Sequence, residues 1–148
     1  MVTQRSAIGE DIHVVRTQPE GLSAGQLVSL VVLGVVLWFA AALAVRAGES
    51  VGFFSSVASV FAFAVAIPVC WLSVAMVRKV TRLKAGQALP GIAFGTMIAT
   101  FCDGIALTWA RNLYGSDPLH TTFGAAWILW GVGLFLLFGY RADQRPAR

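Results

Sequence analysis

One acidic residue stands alone in a long apolar stretch: Asp103 is the only charge between Ala85 and Ala110. If that stretch is a helix in hydrocarbon, an ionised carboxylate there costs about 2.5–3.5 kcal/mol even on a lenient insertion scale. The group must then stay protonated, or face water, a cation or a polar partner. Proton coupling, cation binding and partner recognition are the chemistries open to it. The plainer alternative is a protonated acid whose hydrogen bond only locks helices together. Asp103 lies about eight residues from the end of the stretch, roughly 12 Å deep at the helical rise. Trp127, whose indole N–H is a donor, falls near the same level if the following helix is antiparallel. Ser59 falls within about one turn of it, and Thr100 sits one turn away on the same helix. These four residues form a candidate intramembrane polar site. No basic residue lies in any apolar window, so a counter-ion would require Arg111 or His120 to fold inward.

Around Asp103 runs a second pattern. Gly91, Gly95, Ala99 and Asp103 recur every four residues, flanked at the same spacing by Thr96, Thr100, Gly104 and Thr108. Small residues let another helix approach closely, and threonine hydroxyls hydrogen-bond across such contacts. This face is therefore expected to be buried against protein. Gly91, Gly95 and Ala99 are its helix-packing positions, within one bundle or between two copies. A similar stripe of Ser55, Ser59, Ala62, Ala66, Cys70 and Ser73 suggests that its helix packs on the one carrying Asp103. Trp38, Trp127 and Trp130 are deep enough to fill volume between helices. Trp109, Tyr114 and Tyr140 fit the aromatic belt at a membrane surface.

Other chemistries find little to use. The two histidines, His13 and His120, fall on opposite sides in the topology below, so a bis-histidine haem within one chain is excluded and zinc lacks ligands. Ser116, Asp117 and His120 share a loop, but Asp117-Pro118 reads as a helix start, with a capping acceptor followed by proline at the first helical position. Cys70 and Cys102 differ in depth by about 9 Å, beyond disulfide reach. No catalytic residue, cofactor or metal site is expected, and the chain reads as non-enzymatic.

The elements that carry these residues follow from hydropathy. The chain of 148 residues is 57% hydrophobic and 12% charged, whereas soluble domains carry about 25% charged residues. Its mean hydropathy is +0.76. Four windows are long and apolar enough to cross a hydrocarbon core of about 30 Å. They predict helices over residues 22–45, 51–77, 86–110 and 118–140, with polar tails over 1–20 and 141–148. Ala42-Leu43-Ala44 could mimic a signal-peptidase site, but the first apolar stretch is too long for a signal peptide. Pro68 should kink the second helix. The short loop around Arg46 and Glu49 should lay the second helix antiparallel beside the first.

Basic residues sit at the helix ends and set topology. Nine of the eleven fall on one side, in the two tails and in the loop bearing Arg78, Lys79, Arg82 and Lys84, and only Arg46 and Arg111 fall on the other. Both termini are therefore expected in the cytoplasm. The net charge of +4 and pI near 9.7 express this bias and do not call for nucleic acid. Arg78, Lys79, Arg82 and Lys84 should also attract anionic lipid headgroups. The expected fold is an all-α, single-domain, four-helix up-and-down membrane bundle.

Residues 85–138 resemble a group of small bacterial four-helix membrane proteins known as a domain of unknown function. The resemblance rests on Ala88-Leu89-Pro90-Gly91, on Asp103 followed by Ile105-Ala106-Leu107, on a short proline-containing outer loop, and on Phe123-Gly124-Ala125-Ala126-Trp127-Ile128-Leu129-Trp130. It implies a bacterial inner-membrane protein and assigns no activity. Two readings of function remain. One is a protein acting through helix packing, as a homo-oligomer or an accessory subunit of a larger membrane partner. The other is a small transporter or channel subunit using Asp103 as a protonatable or cation-binding group.

Overall fold

A computed structural model of the chain describes residues 21–54 and 57–144. Expectations that fall on the N-terminal tail, on Ser55 and on Arg145 and Arg148 lie outside the described residues. Four long helices form: α1 (Ala24–Ser50), α2 (Ala58–Thr81), α3 (Ala88–Trp109) and α4 (Pro118–Asp143), with a single 3-10 turn (Arg111–Leu113) before α4. Each of the four is long and apolar enough to span a membrane. Their outward faces carry large apolar side chains such as Val28, Phe61, Leu72, Phe101 and Leu129, all more than half exposed. Such a surface needs cover from lipid or from another membrane protein. The chain is an all-helical, multi-pass membrane bundle.

Helix ends show where local chemistry outweighs hydropathy. At the start of α1, Ser23 and Gln26 form a reciprocal capping box. Helix α2 starts only at Ala58, seven residues later than its apolar window suggests, because residues 51–54 form a turn. Gly52 takes a positive φ of 64° there and Phe53 N–H bonds to the Gly48 carbonyl. Burial of Phe54, 5% exposed, favours that turn over another helical turn. Its ring stacks edge-on against His120 and Trp127 of α4. At the other end α2 continues to Thr81 and stops where Arg82 adopts the left-handed conformation. Pro68 lies within the helix.

Hydrogen bonds at the two ends give the helix directions. At one end Gln26 of α1 donates to the Thr81 and Arg82 carbonyls, at 3.3 Å each, and to Gln87 Oε1. At the other end the α1 residues Arg46 and Glu49 bond to Asn112 and Ser116. Thus α1 and α3 run one way, and α2 and α4 the other.

The neighbours differ from chain order. Helix α1 packs mainly on α3, α3 on α4, and α4 on α2, while α1 and α2 barely touch. Two expectations are thereby corrected: α2 does not lie mainly against α1, and its small stripe faces chiefly α4, with Ala62 alone joining a cluster that holds Ala106 of α3. Loop length accounts for the first, since the residues between Ser50 and Ala58 give α2 room to swing across to α4. The second follows from matching surfaces, because Ala66 and Cys70 of α2 form a core cluster with Leu134 of α4.

Two carboxylates tie the bundle together. Asp143 accepts from the backbone N–H groups of Gly86, Ala88 and Leu89 at 3.1, 3.0 and 2.8 Å, capping the start of α3 from the end of α4. Residues 141–143, expected in a polar tail, are therefore the last turn of α4. At the opposite end Glu49 of α1 accepts from Ser116 N–H, Ser116 Oγ and Asp117 N–H. A helix start presents unpaired N–H groups and a partial positive charge, which a carboxylate satisfies from any element that reaches it.

Candidate functional site

Asp103 sits on the inward face of α3 and is 8% exposed. After α3 ends at Trp109, the 3-10 turn folds the chain back, with Leu113 N–H bonding to Ala110 O and Tyr114 N–H to Arg111 O. That reversal drives Tyr114 into the bundle, where it is 0% exposed. Its hydroxyl donates to Asp103 Oδ1 at 2.5 Å and accepts from Trp38 Nε1 of α1 at 3.0 Å. A phenol hydroxyl can donate and accept at once, so one oxygen joins α1, α3 and the loop. Burial, and then the bond to Asp103, push the Tyr114 phenol above its ordinary value of 10.0. The hydroxyl therefore keeps its proton and remains a donor.

Tyr114 was expected at the membrane surface, and its burial is a correction. A tyrosine in a polar loop looks interfacial by composition, but here a buried acid supplies an acceptor that lipid cannot. The partner expected for Asp103 also changes. The Trp127 indole donates to the Ala62 carbonyl of α2 at 2.8 Å, and the indole beside the acid is Trp38. The Thr100 hydroxyl donates to its own helix at Thr96 O, and Thr100, Gly104 and Thr108 are exposed. Of this stripe Thr96 turns inward, while Thr100, Gly104 and Thr108 are not buried within the bundle, contrary to expectation. A Cβ placed on Gly104 would meet nothing within 4 Å. Ser59 is half-buried in the first turn of α2. Trp38 and Trp127 are half-buried as volume-filling residues, whereas Trp130 is 45% exposed.

The glycine stripe lies against helices of the same bundle. A Cβ on Gly34 of α1 would come within 2.6 Å of the Gly95 carbonyl oxygen, and one on Gly91 within 2.8 Å of Leu83. Ala99, Gly91 and Gly95 also line a cavity of about 300 Å³ bounded by all four helices. Asp103 with Trp38 and Trp127 forms part of its wall, and Asp103 is the only acidic or basic side chain among the lining residues. Most of the rest is aliphatic, including Ala41, Ala44 and Ala66 on the flanks of α1 and α2. Thr96 lines the cavity, and its buried hydroxyl has no hydrogen-bond partner.

The other candidates are scattered. The Ser116 hydroxyl turns to Glu49, the Asp117 carboxylate caps Leu119 and His120, and His120 Nε2 lies 2.7 Å from the Val45 carbonyl. These three loop residues are occupied in holding helix ends. Cys70 and Cys102 are free thiols. Among the described residues no three His, Cys, Asp or Glu side chains gather. In the basic loop, Arg78 is half-buried while Lys79, Arg82 and Lys84 are exposed.

Tyr114, Glu49 and Asp143 escape a reading of sequence. A signal exists for the last two, since a lone carboxylate just outside an apolar window can reach the N-terminus of a neighbouring helix. Comparisons with known proteins add nothing to this geometry: no protein family, curated protein or solved structure matches the chain.

Proposed function

We propose that this chain is a non-enzymatic protein of the bacterial inner membrane, with both termini cytoplasmic, that acts as an accessory subunit by packing against a larger membrane partner. The seam between α1 and α2 carries the proposal. It is the weakly packed side of the helix ring, it borders the central cavity, and Ala40, Ala41 and Ala44 of α1 line it. Small side chains let another helix approach closely in lipid. The Asp103–Tyr114–Trp38 chain then holds α1, one side of the seam, to α3.

A photo-crosslinking residue at Ala41 tests this reading. The expected product is one discrete protein adduct that Ala44→Phe, which fills the seam, suppresses without lowering thermal stability. Adducts to lipid alone, unchanged by Ala44→Phe, would overturn it.

A transport role for Asp103 is the second reading, favoured by the position of its carboxyl on the cavity wall. The mostly aliphatic lining argues against a continuous hydrated path, because it offers few polar groups to hold water. Proton or cation flux in proteoliposomes that Asp103→Asn abolishes would favour transport over packing. The orientation rests on the nine cations assigned to one side, and reporter tags at both termini check it.

A further inference from the structure

The basic loop treated as a unit hides a division within it. Lys79, Arg82 and Lys84 are exposed, but Arg78 is half-buried along a groove between the ends of α2 and α4, with its Nε covered by protein and without a hydrogen-bond partner. The groove holds about 160 Å³ and is lined by Trp71, Val74 and Arg78 from α2 and by Phe138 and Arg141 from α4. Two guanidinium side chains from different helices thus border one pocket whose remaining walls are aromatic and aliphatic. The nearest carboxylate in sequence, Asp143, is committed to the start of α3 and points its oxygens at three backbone N–H groups.

We propose that this groove binds the phosphate of an anionic phospholipid, with the guanidinium groups of Arg78 and Arg141 on the headgroup and the upper acyl chain against Trp71, Val74 and Phe138. Two arginines from different helices on one groove offer charge-assisted donors, and a phosphate oxygen is the acceptor that arginine's planar fork fits best. Both arginines lie within a turn of their helix ends, the depth at which a spanning helix meets headgroups. Basic pockets between membrane helices recognise anionic headgroups in this way. A free phosphate would satisfy the arginines but would leave the apolar wall uncovered, so the lipid is the better fit. The site does not depend on the α1–α2 seam or its partner.

The test uses the full chain purified in a mild detergent, with thermal unfolding and native mass spectrometry as parallel readouts. Added phosphatidylglycerol should raise the Tm and leave bound lipid in the spectrum, while phosphatidylcholine and inorganic phosphate should not. Arg78→Gln with Arg141→Gln should weaken lipid retention about tenfold or more, as expected for losing two charge-assisted contacts. Arg82→Gln with Lys84→Gln should leave it largely intact. Equal losses in the two double variants would reduce the site to diffuse attraction and overturn the proposal. An equal response to phosphatidylcholine, or a response to inorganic phosphate alone, would also overturn the assignment to an anionic lipid. If the Arg78 and Arg141 variant fails to fold, Trp71→Ala is read instead and should lower retention of the same lipid.

Discussion

The Tyr114 hydroxyl donates to Asp103 at 2.5 Å across only eleven residues of chain, so a loop that hydropathy assigns to the membrane surface is anchored inside the bundle. The bond satisfies a buried acid and, through Trp38, extends to α1. Asp103 therefore has a structural duty whatever else it does.

Tyr114→Phe should destabilise the protein by about 1–3 kcal/mol, because it leaves the Asp103 carboxyl and the Trp38 indole without their partner. Asp103→Asn keeps an acceptor for the phenol and should cost less than Asp103→Leu. A double-mutant cycle between positions 103 and 114, read by thermal unfolding in detergent, should give a coupling of at least about 0.5 kcal/mol. Additive effects would show that the bond contributes nothing.

The same bond sets a dependence on alkaline pH. The Tyr114 phenol is raised above 10.0 in the folded state by burial and by Asp103. Its contribution is thus whole below about pH 10 and is lost as pH climbs from there toward the folded value. The difference in Tm between the parent and the Tyr114→Phe variant should be constant up to that point and narrow above it. A difference that widens would contradict the sign.

Asp143→Ala should cost about 1–2 kcal/mol, the scale of a lost helix cap. The effect should be local: amide exchange at Gly86, Ala88 and Leu89 should quicken, while exchange in α1 should not. Uniform acceleration would mean that Asp143 supports the whole bundle and not chiefly the start of α3.

Glycines separate by what faces them. Gly34→Ala places a methyl against the Gly95 carbonyl, where neither backbone can yield without parting α1 from α3, and should cost about 1–3 kcal/mol. Gly104→Ala meets open space and should change stability by no more than about 0.5 kcal/mol. A costly Gly104→Ala, accompanied by loss of a dimer in detergent, would place a second copy on the exposed threonine face.

Much of the architecture was legible in the residues. Four apolar windows of the required length specify four spanning helices, because a lipid-exposed backbone must satisfy its own hydrogen bonds. Asp117-Pro118 marks the start of α4 to the residue, since capping is local chemistry. Asp103 stood out because a lone acid in an apolar run is rare and costly.

What hydropathy leaves open is which helix touches which. Every helix here is apolar on nearly all sides, so periodicity does not separate a lipid-facing surface from a packed one, and the α1–α3–α4–α2 ring rests on close fits such as Gly34 against Gly95. The partners of Asp103 were hidden for a related reason. A buried carboxyl takes whichever donor the loops deliver, and Tyr114 reaches it only because a 3-10 turn reverses the chain. Composition governs the solvent that this protein needs, and folding in three dimensions governs which polar groups meet inside it.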